Sequence, residues 1–218
     1  MIDMETEDII LIDKPKGITS FDVIRRLRRQ LGIKKMGHAG TLDPLATGLM
    51  IVGVGSGTKK LNEFLKLDKT YEAEILLGKS TDTGDLEGEV LEEKSVSLID
   101  DEKIKKVLAG LVGDNLLPVP VYSAIKRGGE ALYKKARRGE DVEPPKKNMT
   151  VYRAELKRSE FTDGAGVLKV VFDVASGTYI RSLAEEIGQR LGYPATIKEL
   201  RRTQVGQWRV EEAKKLSV

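Results

Sequence analysis

The sequence of 218 residues contains no cysteine and a single histidine, His38. The first absence excludes disulfides and thiolate zinc sites. The second leaves no His-x-x-x-His pair, so a metal built on His38 would need carboxylate partners. No Gly-x-Ser-x-Gly is present to mark a strained serine nucleophile. Gly53 to Lys59 has the glycine content of a phosphate loop, but Thr58 stands where the Walker pattern requires glycine before its lysine. That segment reads as a turn after a strand, and a nucleotide-binding enzyme has no other support. No apolar run reaches about 18 residues, and the N-terminus lacks a signal-type segment. The expectation is a soluble, cytoplasmic protein, long enough for one large domain or two small ones.

What is present is charge. Charged residues make up 33% of the chain and hydrophobic ones 40%, enough apolar material for an ordinary core. Net charge is only +3, but its distribution is uneven. Residues 21–37 hold Arg25, Arg26, Arg28, Arg29, Lys34 and Lys35 against one acid, Asp22. Residues 122–138 hold Lys126, Arg127, Lys134, Lys135, Arg137 and Arg138 against Glu130. Residues 72–102 reverse the sign, with eleven acids against Lys79 and Lys94. Any one cluster suits a solvated surface; several in a near-neutral chain favour a phosphate-binding face.

Residues 8–13 form a short apolar run closed by Lys14-Pro15-Lys16-Gly17, a strand ending in a turn. Thr19 or Ser20 can cap the helix that follows, with Ile24, Leu27 and Leu31 on one face and Gly32 at its end. Residues 37–48, rich in Gly, Thr and Pro, predict a loop, and Leu49 to Val54 a buried strand. Tyr71 to Leu77 and Gly88 to Glu92 suggest two strands joined by a polar loop at 81–85. Ile104, Val107, Leu108 and Leu111 suit a helix. The four prolines between Pro118 and Lys147 suggest an extended surface insertion. Val151 to Leu156 and Val167 to Val174 return to strand character. Ile180, Leu183, Ala184, Ile187 and Leu191 recur at helical spacing. The pattern predicts α+β, a mixed and mainly antiparallel sheet flanked by helices.

Within this frame Gly37-His38-Ala39-Gly40-Thr41-Leu42-Asp43-Pro44 stands out. Its glycines permit close approach, and the proline restricts the backbone of Asp43. A carboxylate held on such a loop can do chemistry or simply close a turn. Arg181 opens the last amphipathic helix, where the helix dipole disfavours a cation. It therefore requires an acidic partner or points into solvent. Leu200-Arg201-Arg202-Thr203 reads as a backbone-binding edge, with exposed charge beside an apolar anchor.

Taken together these segments resemble the TruB-type tRNA pseudouridine synthases. Lys14 to Ser20, KPKGITS, is similar to the first motif of that family. Gly37 to Ala46, GHAGTLDPLA, is similar to its second, which carries the catalytic aspartate. Lys69-Thr70-Tyr71 resembles the active-site tyrosine segment. Tyr122 to Lys126 with Leu132-Tyr133 and Ala136-Arg137 resembles an RNA-gripping insertion at about 118–147. Ser176 to Leu183, SGTYIRSL, and Leu200 to Gly206, LRRTQVG, complete the series in the family's order. The family's Gln-x-Pro-Pro is replaced here by Asn115 to Pro120, and its frequent Cys-Ser by Ala175-Ser176.

The resemblance implies the pseudouridine synthase fold in one catalytic domain over residues 1–218, without the usual C-terminal RNA-binding domain. It implies isomerisation of uridine 55 in the T-arm loop of tRNA, with no cofactor and no metal. It makes Asp43 the essential carboxylate, Arg181 its cationic partner, and Tyr71 both stacking surface and proton handler. His38, Tyr179, Leu200, Lys14 and Pro15 are expected around the flipped base or supporting the catalytic loop. Lys126, Arg127, Lys134, Lys135, Arg137, Arg138, Arg201 and Arg202 are expected on the RNA backbone. The expected partner is the T-arm stem-loop, bound by a monomer needing no other protein and no membrane. The competing class is an RNA-binding protein on the same fold without catalysis.

Overall fold

A computed structural model describes residues 8–216 except 124, 128 and 141, with only the backbone described at 126, 127, 131 and 137. The chain forms two compact units. The first comprises residues up to Glu72 and those from Leu200 onwards; the second runs from Ala73 to Glu199.

The first unit begins with β1 (Ile9–Lys14), whose buried positions alternate and place Ile10, Ile12 and Lys14 on one face. Helix α1 (Ser20–Leu31) starts at Thr19, whose hydroxyl accepts from the Asp22 amide while the Asp22 carboxylate accepts from the Thr19 amide. This reciprocal box satisfies two donors that a helix start leaves open. Val23, Ile24 and Leu27 form its buried face, and Gly32 ends it in the left-handed conformation. Strand β2 (Met36–Ala39) pairs antiparallel with β3 (Thr47–Val54). The glycine-rich stretch from 37 is thus partly strand, not the expected loop throughout. Composition suggested an irregular segment, but pairing with a buried neighbour overrides weak strand propensity.

A 3-10 turn (Gly55–Lys60), the short α2 (Leu61–Leu65) and β4 (Lys69–Leu77) follow. Among these strands β1 runs antiparallel to β3. A core of Ala39, Leu49, Ile51, Val205 and Val210 packs against Leu61, Phe64, Leu67 and Trp208.

In the second unit β5 (Lys79–Thr81) pairs with β6 (Val90–Glu93) as a separate two-stranded ribbon. The expected hairpin between 71–77 and 88–92 is therefore corrected. Gly78, at φ +98°, breaks the strand, and β6 pairs beyond that break. Then come α3 (Asp101–Ala109), the edge strand β7 (Gly113–Pro118), a hairpin of β8 (Lys126–Arg127) and β9 (Glu130–Ala131), and α4 (Leu132–Arg137). Two long antiparallel strands follow, β10 (Lys146–Thr162) and β11 (Ala165–Val174), with β7 on the far side of β10. Helix α5 (Ile180–Leu191) buries Ile180, Leu183, Ala184, Ile187 and Leu191. The same period-3.6 stripe read from the sequence thus faces the core.

Strand β12 (Ala195–Val205) leads back into the first unit, which closes with β13 (Trp208–Arg209) and β14 (Lys214–Lys215). There β14 lies parallel to β1, and Arg201 and Arg202 of β12 lie parallel to Thr47 and Gly48 of β3. Parallel and antiparallel pairs in one sheet, with flanking helices, make the architecture α+β as expected. No described helix is long and apolar enough to cross a membrane.

Candidate active site

Asp43 lies half-buried between β2 and β3, and its surroundings in the first unit fix the backbone around it. Ser20 Oγ accepts from the Leu42 amide at 2.8 Å and sits 3.0 Å from the Leu42 carbonyl, to which it donates. The Asp43 carbonyl accepts from the Ala46 amide at 3.1 Å, closing a turn. The Pro44 carbonyl accepts from the Gly17 amide at 2.9 Å and from Lys14 Nζ at 3.3 Å. Leu42 and Leu45 are buried. Every peptide next to Asp43 is therefore tied, and the loop that carries it has little freedom to relax. Such preorganisation is what positioned chemistry requires.

Lys14 has no exposed surface. Its ammonium donates to the carbonyls of Pro15, Ile18 and Pro44, so all three of its donors have acceptors. That arrangement welds the Lys14-Pro15-Lys16-Gly17 turn to the Asp43 loop. Ser20 contributes to the same joint. Sequence reading considered it only as a helix cap. Because Thr19 fills that role, the next hydroxyl was free to reach across, and this ambiguity was the available signal.

His38 is on β2, with Nδ1 buried and lacking a hydrogen-bond partner among the described residues. Burial pushes its pKa below the ordinary histidine value, the Arg202 charge pushes the same way, and the Gly40 carbonyl opposes them. The imidazole is thus held towards its neutral form. Tyr71 is 8% exposed on the buried face of β4, two residues from Lys69. The Lys69 ammonium donates to the Leu65 and Leu67 carbonyls and is pushed down to about 8, first by burial and then by the Arg202 charge. Leu200 is buried, and its carbonyl accepts from Thr47 Oγ1.

Of the two arginines after Leu200, expected on a charged RNA-binding edge, Arg202 is buried and Arg201 is partly exposed. Arg202 is 1% exposed and donates through Nε to Leu49 O at 2.7 Å and through Nη2 to Gly40 O at 3.2 Å. Alternation along β12 turns it inward, so it cannot reach a phosphate. Arg201 points the other way but is held bidentate by Asp13, at 3.0 and 2.8 Å. Its charge is neutralised within the fold.

In the second unit Arg181 is 5% exposed, not solvated. Its guanidinium donates to the carbonyls of Thr83 at 2.6 Å and Tyr122 at 3.0 Å. Glu185, one helical turn on, is raised in pKa by burial and pulled back by the Arg181 charge. These partners compensate the unfavourable place at the helix start. Thr83 and Glu185 were absent from the sequence reading, although Glu185 at i+4 from Arg181 is a spacing at which side chains meet. Tyr179 precedes α5, with Lys147 Nζ 6.0 Å from its ring centroid.

The basic insertion is partly spent internally. Arg138 pairs with Glu130 at 2.7 Å and with Glu140 at 2.7 Å. Lys134 is exposed and Lys135 half-buried, both on α4. The side chains of Lys126, Arg127 and Arg137 lie outside the described residues. Among the described residues, no three His, Asp or Glu side chains cluster as a metal site would require.

The model of the TruB family pseudouridylate synthase N-terminal domain matches residues 28–180. The chain belongs to the TruB family. It is 44% identical over 205 residues to tRNA pseudouridine synthase B of Mycobacterium sp. (strain KMS), covering 94% of this chain and 69% of that one. It is 41% identical to tRNA pseudouridine synthase B of Endomicrobium trichonymphae, covering 95% and 88%. Among solved structures this TruB-family chain is similar to one in the crystal structure of a Cbf5-Nop10-Gar1 complex. The TM-score is 0.70 at 28% identity, covering 95% of this chain and 52% of that one. It therefore spans about half the length of that solved relative.

Proposed function

We propose that this chain isomerises a uridine of tRNA to pseudouridine, acting at position 55 in the T-arm loop with Asp43 as the essential carboxylate. The observation that carries the reading is the loop around Asp43, in which both flanking peptides and the aspartate's own carbonyl are hydrogen-bonded. Relatives named tRNA pseudouridine synthase B at 41–44% identity support the substrate class.

The reaction breaks the N1–C1′ bond, turns the uracil and rejoins C5 to C1′. The C5 proton leaves and N1 gains one, so the product is an isomer and no electrons are exchanged. The target base must leave its stack to enter a pocket. Asp43 acts ionised, whether as nucleophile towards ribose or base or as proton acceptor. Following the resemblance, Arg181 supplies the positive charge that favours that ionised form. Tyr71 offers a ring for the flipped uracil and a hydroxyl for the C5 proton. His38, held neutral, acts as a filler or contact, not as a charged acid.

The test is mass-spectrometric mapping of pseudouridine in tRNA incubated with the purified protein, beside the Asp43→Asn variant. Pseudouridine at position 55 is expected with the wild type. The variant should make none while binding tRNA within a few-fold, because it keeps the shape and loses the charge. Tight tRNA binding without modification by the wild type would instead indicate a non-catalytic RNA-binding protein.

A further inference from the structure

We infer that Arg202 is a positioning residue for Asp43: its buried guanidinium ties together the two strands between which the catalytic loop is strung. The inference rests on the proposed role of Asp43.

The Arg202 side chain touches the loop at both ends. Gly40, three residues before Asp43, gives its carbonyl to Nη2 at 3.2 Å; Leu49, six residues after it, gives its carbonyl to Nε at 2.7 Å. A guanidinium is a rigid planar fork, so two bonds from one group fix the separation and the relative direction of the two carbonyls. A flexible ammonium could satisfy either one but would not impose that geometry. The backbone of Arg202 reinforces the joint. It pairs with Gly48, which adopts φ +103° and on which a Cβ would collide with the Arg202 peptide. Gly40 also lies beside the guanidinium, since a Cβ there would stand in contact, 3.4 Å from Arg202 Nη1. Lys14 holds the loop from the other side through Pro44. Two buried cations thus grip the segment by its carbonyls.

Burial at 1% exposure separates this role from phosphate binding. A residue reading RNA would also show in the salt dependence of binding, whereas a buried one would not. The charge is nonetheless felt locally, because it helps to depress both His38 and Lys69.

His38 is the only histidine in the chain, so one imidazole resonance reports on the Arg202 charge without assignment. The experiment compares wild type, Arg202→Met and Arg202→Lys. It measures single-turnover rate at saturating full-length tRNA, tRNA affinity across salt concentrations, and the NMR titration of ¹³C-labelled histidine. In Arg202→Met the rate should fall on the order of a hundredfold, the scale of a misplacement of about 1 Å. Affinity and salt slope should hold within about twofold, since no phosphate contact is lost. The His38 titration should move up, because one of its two depressing causes is removed. Arg202→Lys keeps the charge and loses the fork, so His38 should titrate as in the wild type while the rate still falls.

Wild-type turnover in a folded Arg202→Met, or a loss confined to affinity with a flatter salt slope, would overturn the inference. If the Met variant does not fold, a wild-type rate in Arg202→Lys would overturn it. Failure of the wild type to modify tRNA is a different result: it would refute the proposed function. The His38 titrations would even then decide whether a charged Arg202 faces this segment.

Discussion

At the residue scale, the first unit keeps three cations, Lys14, Lys69 and Arg202, out of water and bonds each to backbone carbonyls. Lys14 is the most demanding case, with three carbonyls around one ammonium and no exposed surface. Replacing it by Met keeps the stem length and takes the ammonium from three acceptors, of which only Pro44 O keeps the Gly17 amide; an acceptor left buried and unpaired costs free energy. Relief of the buried charge offsets part of that loss. Lys14→Met should therefore lower stability by on the order of 2–4 kcal/mol, read as a lower denaturant midpoint with an unchanged slope. A variant as stable as the wild type would mean that the carbonyls find water. His38 allows a second test, in pH. Its folded pKa is depressed below the unfolded value, so the neutral imidazole favours the fold. That contribution is fully present above the unfolded pKa of about 6.5 and is lost as pH falls through the folded pKa. The stability difference between wild type and His38→Gln should thus shrink as pH is lowered from about 7.5 to about 5. Urea titrations across that range measure it, and a pH-independent difference would contradict the burial of the ring.

At the scale of elements, the joint between β3 and β12 is a place where a single added methyl should meet both strain and collision. Gly48 needs a left-handed backbone and has the Arg202 peptide against its α-carbon. Gly32 shares the backbone requirement, at φ +68°, but has nothing within 4 Å of a would-be Cβ. Gly32→Ala should cost about 1 kcal/mol, the strain of the conformation alone. Gly48→Ala adds a collision with backbone and should cost about 2–5 kcal/mol. Paired thermal melts separate the two, and equal losses would show that β12 can move aside.

The same joint shows what could be read from the sequence. Helix α5 and strand β3 were legible because an apolar stripe or run specifies its own element. The cap at Thr19 and the stop at Gly32 were legible for a similar local reason. The Asp43 segment was found through its motif, though its first residues proved to be strand. Strand pairing is a long-range choice that composition does not encode. The side-chain partners were the least visible. Arg201 and Arg202 are adjacent and chemically alike, yet strand alternation sends one to Asp13 and the other into the interior. Ser20 and Leu42 meet across 22 positions only because the fold brings them together.

At the scale of the whole molecule, the free positive charge is smaller than the sequence count suggests, and this bears on how tRNA is held. Arg201 is neutralised by Asp13, Arg202 is buried, and Arg138 is shared between Glu130 and Glu140. Arg29, Lys34 and Lys35 are exposed in the first unit, as is Lys134 in the second. Affinity for a phosphate backbone comes from releasing counterions, so only charges able to approach phosphate contribute to the salt slope. Replacing Arg29, Lys34 and Lys35 together by Ala should weaken tRNA binding and flatten the slope by about 2–3, at 0.7–0.9 per lost contact. Arg201→Ala removes one formal charge but frees Asp13, so its slope should stay near the wild-type value while stability falls. Single-turnover rates at saturation should be preserved in the triple variant, because those side chains are exposed and, among the described residues, make no bonds to the Asp43 joint. Fluorescence titrations with full tRNA and with an isolated T-arm stem-loop, each over a range of salt, supply the measurement. If the T-arm is what is read, the two RNAs should give similar slopes. A slope unchanged in the triple variant would place the phosphate contacts elsewhere, with the insertion around Lys134 the next surface to neutralise.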